Sequence, residues 1–372
     1  MKIICTRTLL ADAIAGVSKA VSGRATIPAL EGILLQAEGF QVTLTGHDTE
    51  IGITTTIEAN VIEPGQAVIP AKLFGDLIRR MNGDEVEITT TMNGMANIKG
   101  ASAEFDIASL SVDDYPTLPA PGADETLEIQ ASILTEMISR TLYAVSQDDK
   151  KPVHTGELFS IEKEKLTVVA LDGYRLAITE QDVQASKEID IIIPSKTLTE
   201  VSRLLGDGEE IVKISANRHF VVFKASGYTI ISRLIEGAFL DYKRVIPQGH
   251  RTRVEVDVKP FTETIERASL IITERLKNPL RITFGDNVLV RCQTNLGKVQ
   301  DHLEAAVEGE AVEIGFNNRY LLDALRNSGC EKVVLELSGA LSPVKVLPSE
   351  QDLKDGKRPF RFLVLPVRFK ND

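Results

Sequence analysis

Residues 68–78, VIPAKLFGDLI, return as IIPSKTLTEVS at 192–202 and, more loosely, as GFNNRYLLDAL at 315–325. Pro70 and Pro194 lie 124 residues apart, Asp76 and Glu200 keep the same spacing, and Asp323 follows Glu200 by 123. In the first copy Pro70 opens a run of apolar residues at helical spacing that stops before Asn82-Gly83, a start and stop pair for a helix over 70–81. A second series agrees: SKAVSGRATIPALEGILL (18–35) parallels LYAVSQDDKKPVHTGELF (142–159), with RASLIITERLKNPLRITF (267–284) as a weaker third member. A third series runs through Asp48, Asp172 and Asn295.

Three copies of 124 residues account for all 372. That period exceeds the ~20–50 residues of a solenoid unit and is the size of a domain. Junctions rich in Pro and Gly, PTLPAPGADE (116–125) and IPQGHRT (246–252), place the domains at 1–121, 126–247 and 253–372. Each copy reads as two helical segments and about eight short strands, such as GFQVTLTG and EVEITTT. The fold class is α+β, three tandem repeats with two helices packed on antiparallel sheets in each.

Composition is that of an ordinary globular protein, 43% apolar and 26% charged. No stretch approaches the ~18 apolar residues of a membrane span, and Arg7 and Asp12 interrupt any leader-like run at the N-terminus. Cys5, Cys292 and Cys330 follow no metal or disulfide spacing, which fits a reducing cytoplasm.

The net charge of −11 argues against nucleic acid at first sight, yet it hides a segregation. The segments 10–24, 71–81, 131–151, 195–205, 259–277 and 317–327 hold sixteen Lys and Arg against ten Asp and Glu, so the helices carry +6 and the remainder −17. Helix propensity does not explain the sign, because Glu is as good a helix former as Lys or Arg. Helices that all face one way would present a basic surface suited to phosphate. Lys72, Arg79, Arg80, Lys196 and Arg203 recur at or near equivalent repeat positions, and Arg24, Lys150 and Lys151 sit just past the first helix of their repeats.

Catalytic motifs are wanting. The five histidines share no spacing, and HExxH, GxSxG, GxxxxGK[ST] and a GxGxxG after a strand do not occur. The pairs Asp113-Asp114 and Asp148-Asp149 fall in loop-like contexts, where neighbouring residues rarely converge on one metal. No metal or cofactor is expected.

One turn stands apart. In TVVALDGYRLAIT (167–179), Asp172-Gly173 between two apolar runs signals a tight hairpin. The Gly-Tyr-Arg after Asp172 occurs only in copy two; copy one has Thr-Glu-Ile and copy three Leu-Gly-Lys. A structural need would recur in every copy, so this tip serves a task done once per chain.

Together the threefold repeat, SGRATIPAL, VIPAKLF, VDDYPTLP, LDGYRLA, IIPSKTLTE, SRLIEGAFLDYKRVIP, IGFNNRYLLDAL and LVLPVRF resemble, over the whole chain, the bacterial replicative sliding clamps, the beta subunits of DNA polymerase III. The resemblance implies the DNA-clamp fold and a head-to-tail homodimer closed into a ring around duplex DNA, bound without regard to sequence. It implies a non-catalytic subunit of the polymerase holoenzyme. Its implied partners are the polymerase alpha subunit, the clamp loader and other proteins bearing short clamp-binding peptides, with no membrane. Such peptides would dock between the second and third domains. The matching positions are Leu171, Gly173, Tyr174, Arg175 and Leu176 on the hairpin, and Leu240, Arg244 and Val245 before the second junction. Asn317 and Tyr320 match on the last helix, and Leu363, Leu365, Val367 and Arg368 on the terminal strand, with Tyr174 and Arg175 at the rim. The family usually has His where Tyr174 stands and Pro where Leu240 stands; copy one keeps Pro116 at the equivalent place.

DNA-facing candidates are Arg24, Lys72, Arg79, Arg80, Lys150, Lys151, Lys196, Arg203, Arg275 and Lys277, and candidates for the dimer contact are Leu77, Ile107, Leu270 and Ile271. PSEQDLKDGKRPF (348–360) reads as a lengthened exposed loop, and Lys370-Asn371-Asp372 as an extension of the usual end. A polymer-acting hydrolase would instead need catalytic residues in one copy without counterparts, and none stands out. A repeat-built scaffold would not need basic helices.

Overall fold

The computed structural model describes residues 1–91, 94–119, 125–206, 208–273 and 279–369. Arg275, Lys277 and Lys370-Asn371-Asp372 therefore lie outside the described residues. Within them the repeats hold nine, eight and nine strands, and six long helices fall two to a repeat. These are α1 (Arg7–Val17), α2 (Ala71–Arg80), α3 (Ala131–Leu142), α4 (Ser195–Leu205), α5 (Val258–Ser269) and α6 (Asn318–Arg326); a short α7 (Glu350–Lys354) comes after them.

The 124-residue period reappears in the element bounds. Strands Gly32–Glu38, Gln41–His47, Ile51–Glu58 and Gly65–Pro70 have counterparts at Gly156–Glu162, Lys165–Leu171, Arg175–Asp182 and Ile189–Pro194. In every repeat the fourth of these strands returns beside the first, so the order is third, second, first, fourth. Each then runs straight into a helix, with Pro70, Pro194 and the helix-capping Asn317 at the junction. In α2, Ala71, Phe74 and Ile78 are buried at helical spacing while Lys72, Arg79 and Arg80 face outward.

Contacts group the chain into two compact units, Met1–Thr135 with Thr199–Leu234, and Glu136–Leu198 with Ile235–Asp372. The cut passes through repeat two because each long sheet joins two repeats. In the first unit an eight-stranded sheet takes four strands from repeat one and four from repeat two, through Ile51–Thr55 against Tyr228–Ser232. In the second unit a nine-stranded sheet joins repeats two and three in the same way, through Arg175–Thr179 against Phe360–Val364. The main core of that unit packs Phe261 and Ile265 of α5 and Leu321 and Leu325 of α6 against Phe284, Phe316 and Phe362, all fully buried.

Two expectations are corrected. The helical segments expected at 10–24, 131–151 and 259–277 end at Val17, followed by a 3-10 turn to Ala20, at Leu142 and at Ser269. Lys150 and Lys151 lie in the loop past α3, where the sequence puts them, and Asp148 Oδ1 accepts from the Lys150 amide at 3.1 Å. Nor is 348–360 simply an exposed loop. The Ser349 hydroxyl caps α7 by accepting from the Asp352 amide at 3.0 Å and donates to the Asp352 carboxylate, and both residues are buried. Beyond it Arg358 Nε pairs with Glu136 at 2.7 Å and its Nη1 donates to Gln181 at 2.7 Å. Arg140 donates to the Arg358 carbonyl and stacks on Phe360. Paired charges, invisible to a local hydropathy pattern, hold the segment down. Ser349→Ala removes the cap and should lower the unfolding free energy by about 1–2 kcal/mol, read as a shifted urea midpoint; an unchanged midpoint refutes the cap's contribution.

Candidate functional site

The tip of the repeat-two hairpin is built by its own side chain. Asp172 Oδ1 accepts from the amides of Tyr174 at 2.9 Å and Arg175 at 3.0 Å, while Gly173 takes φ +90°, a conformation glycine adopts without strain. Repeat one repeats the device: Asp48 Oδ1 accepts from Glu50 and Ile51, with Thr49 at φ +78°. The turn is thus general, and repeat two is set apart by the tyrosine and arginine on the C-terminal side of its glycine.

Arg175 does not stand at the rim, as the sequence suggests; its side chain is only 13% exposed. Nε pairs with Asp172 Oδ2 at 2.9 Å and Nη1 with Asp323 Oδ2 of α6 at 2.5 Å. The guanidinium lies over the Tyr320 ring at 4.8 Å and the Tyr143 ring at 5.3 Å. Tyr174, 60% exposed, stacks on Tyr320 with centroids 5.8 Å apart. Burial raises the pKa of both Tyr143 and Tyr320, so the cation faces neutral rings. The reason for the inward turn is charge: two carboxylates and two ring faces compensate a guanidinium that would otherwise prefer water.

Asp323 is available for this task because repeat three differs from its siblings. In repeats one and two the equivalent acid pairs with the arginine one turn on, Asp76 with Arg79 at 2.6 Å and Glu200 with Arg203 at 2.8 Å. In repeat three that arginine, Arg326, pairs with Glu266 of α5 at 2.7 Å. Sequence comparison aligned Asp323 as a repeat marker and missed its role; Tyr143 carried no signal at all.

Beside this cluster lies an apolar one. Leu171, Leu176 and Leu363 are buried together with Leu158, Val169, Ile178 and Ile192, and Val153, Ile235, Phe239, Tyr242 and Ile246 pack around them. Residues 239–246 thus turn Phe239, Tyr242 and Ile246 inward and leave Leu240 and Val245 nearly half exposed. Arg244 is exposed and pairs with Asp241 of its own turn. The terminal segment crosses the site: the Leu365 amide donates to the Tyr174 carbonyl at 2.9 Å and the Val367 amide to Gly315 at 2.8 Å. That leaves Leu365 exposed, Val367 half-buried and Arg368 exposed. Asn317 serves as the cap of α6, its side chain accepting from the Arg319 amide. The site therefore offers an apolar floor, exposed aliphatic and aromatic edges, and a locked cation beneath them.

The basic candidates within the described residues, Arg24, Lys72, Arg79, Arg80, Lys150, Lys151, Lys196 and Arg203, are all exposed. Of the candidates for the dimer contact, Leu270 is 82% exposed, Leu77 and Ile271 are half-buried, and Ile107 is buried. Among the described residues no group of His, Cys, Asp or Glu is placed to hold a metal, and no helix is long and apolar enough to cross a membrane.

Three family models match in order: the DNA polymerase III beta subunit N-terminal domain at 1–119, central domain at 128–241 and C-terminal domain at 243–356. The chain is 32% identical over 362 residues to the beta sliding clamp of Staphylococcus aureus, covering 94% of each. Among solved structures it is similar to the DNA polymerase sliding clamp of Bacillus subtilis, 30% identical with a TM-score of 0.95 over 100% of both chains. It is also similar to the DNA polymerase III subunit beta of Pseudomonas aeruginosa, 27% identical with a TM-score of 0.93 over 99% of this chain and 100% of that one.

Arg175→Met keeps the length of the side chain and removes its charge. It should cost about 2–3 kcal/mol, because Asp172 and Asp323 lose a shared, partly buried partner. Adding Asp323→Asn should recover part of that loss in the same urea titration; full additivity of the two changes argues against the pairing.

Proposed function

This chain belongs to the DNA polymerase III beta-subunit family, and from that membership we propose that two copies close head to tail around duplex DNA and tether a polymerase to it. The observation that carries the proposal is the pairing between repeats. The last strand of repeat two pairs with the third strand of repeat one, and the last strand of repeat three with the third strand of repeat two. Two edges continue that series: Ala103–Ala108, the last strand of repeat one, and Gly297–Leu303, the third strand of repeat three. Among the described residues each has a strand on one side only. A second copy supplies to each edge the strand it lacks, and two such junctions close a ring of six domains. Ile107 and the 37%-exposed Phe105 lie on the first edge. Leu270 lies just past α5, which is tied to the second by Arg267 and Asp301 at 2.8 Å.

In this reading the domains are those expected at 1–121, 126–247 and 253–372, and the protein works in the cytoplasm with the polymerase and clamp loader. Its role is topological and catalyses no step. Exposed Arg24, Lys72, Arg79, Arg80, Lys150, Lys151, Lys196 and Arg203 meet the DNA backbone without reading bases. The apolar floor, with Tyr174, Leu240, Val245 and Leu365 around it, takes short apolar peptides from the polymerase alpha subunit and other partners.

The protein should stay on circular duplex and slide off linear duplex. Charged residues at Leu270 and Ile271 should convert the dimer seen by light scattering to monomer and abolish retention on circles. Equal retention on circular and linear DNA overturns the ring. Each phosphate contact removed by charge reversal lowers the slope of log affinity against log salt by roughly one.

Replacing Leu365 and Val367 with serine should weaken a labelled polymerase-derived peptide by at least tenfold, since losing one buried anchor commonly costs ~2 kcal/mol. Retention on circular DNA should persist. Unchanged peptide affinity returns the hairpin to the status of an ordinary turn.

A further inference from the structure

We propose that repeat one holds a second copy of the peptide groove, occupied in cis by the chain's own linker, with Leu118 seated on Gly52 as the plug. The proposal rests on reading the repeat-two site as a peptide groove.

The two sites are equivalent strand for strand. Ile51–Thr55 pairs with Tyr228–Ser232 as Arg175–Thr179 pairs with Phe360–Val364, in the same antiparallel register. The closing bond also recurs. The Arg233 amide donates to the Glu50 carbonyl at 2.8 Å where the Leu365 amide donates to Tyr174. Positions 47 and 52 of repeat one therefore answer to Leu171 and Leu176, and Asp114-Tyr115 of its linker answers to Asp241-Tyr242, each tyrosine packing inward.

The side chains at these positions differ in one direction. Leu171, on the apolar floor of repeat two, is replaced by His47, which is buried and bonds the linker: His47 Nε2 lies 2.8 Å from the Pro116 carbonyl. A carbonyl only accepts, so Nε2 carries the proton, and Nδ1 is left to accept from the Thr49 amide at 3.4 Å. Tyr115 packs edge-on against His47, and its hydroxyl donates to the Thr45 carbonyl at 2.9 Å. Leu176 is replaced by Gly52. A Cβ on Gly52 would lie 2.3 Å from Leu118 Cδ2 and 3.0 Å from Cδ1, and its three nearest neighbours all belong to Leu118. Gly52 sits within the strand Ile51–Glu58, where the backbone needs no glycine. What it admits is Leu118. Leu365, exposed in repeat two, is replaced by Arg233, whose Nε donates to the Thr49 carbonyl at 3.2 Å and whose guanidinium lies over Phe220.

Linker residues 116–118 thus lie in repeat one as a bound peptide would, with one aliphatic anchor and a backbone carbonyl fixed by a side chain. Repeat two has Leu176 in the place Gly52 vacates, and its own linker packs Tyr242 inward as repeat one packs Tyr115 but leaves Leu240 and Val245 outside. The groove is open once per chain because its other copy is already filled.

Two measurements on the full-length dimer test this. In the first, Leu118→Cys and, as an exposed control, Thr117→Cys are labelled with a maleimide. The native thiols interfere little, since Cys5 and Cys292 are buried and the Cys330 thiol is pushed up to about 11. Position 118 should react at least about tenfold more slowly than 117, because it reacts only when the linker lifts. Adding Gly52→Leu, the residue repeat two carries, should bring the two rates together. Equal rates with Gly52 in place overturn the plug. In the second, calorimetry counts polymerase-derived peptides per protomer. The wild type should bind one and Gly52→Leu with Leu118→Ser should bind two. A folded double variant that still binds one overturns the second groove, whereas a wild type that binds none overturns the peptide-groove reading on which it stands.

Discussion

Antiparallel pairing across the repeat boundaries is the constraint on which the rest of the structure depends. Two strands that close a repeat are fixed, hydrogen bond by hydrogen bond, to the third strand of the repeat before them. In a strand ladder a slip of one residue turns every side chain to the opposite face. The matched registers at the two boundaries therefore present both hairpin tips alike, and each tip is closed by an amide just past the paired strand. Backbone geometry is held constant, and side chains alone decide what each junction does. At one they fill the space from within, and at the other they leave it lined with leucine.

The same economy governs charge. An acid stands at one equivalent helix position in all three repeats, as Asp76, Glu200 and Asp323. Twice it neutralises the arginine one turn along, at the surface in Asp76–Arg79 and from a largely buried carboxylate in Glu200–Arg203. The third time a single change of partner, Arg326 to Glu266, releases it to anchor Arg175 against two tyrosines. A locked cation beneath the hairpin results from a rearrangement on a different helix.

Much of this was legible in the sequence, for definite reasons. A repeat of 124 residues announces itself in strand-to-helix entries such as VIPAK and IIPSK, and the alternation of strands and the 3.6 spacing of Ala71, Phe74 and Ile78 are local patterns. The hairpin declared itself because Asp-Gly has a strong turn preference and Gly-Tyr-Arg had no counterpart in the other copies. What was hidden depends on distant partners. Asp323 lies 148 residues from Arg175, and nothing near either predicts the other. That Ala103–Ala108 is an edge is a property of the whole sheet and not of its own six residues. Helices α3 and α5 stop short in tight backbone turns, Ala144 N–H to Thr141 and Leu270 N–H to Arg267, which propensity does not register.

The exposed arginines of α2 and α4 have one more consequence. Arg79 and Arg203 each carry a resident carboxylate one helical turn away. A surface ion pair is worth about 0–1 kcal/mol, comparable to thermal energy. In the ring proposed above, such an arginine would exchange one anion for another as a phosphate passes, gaining little on its arrival and losing little on its departure. The energy along the duplex would then be nearly level, with shallow wells and low barriers between neighbouring phosphates. Bare arginines would grip each phosphate more deeply and make the path rough. In the proposed ring, resident acids on basic helices would act as a lubricant, setting its friction on the track.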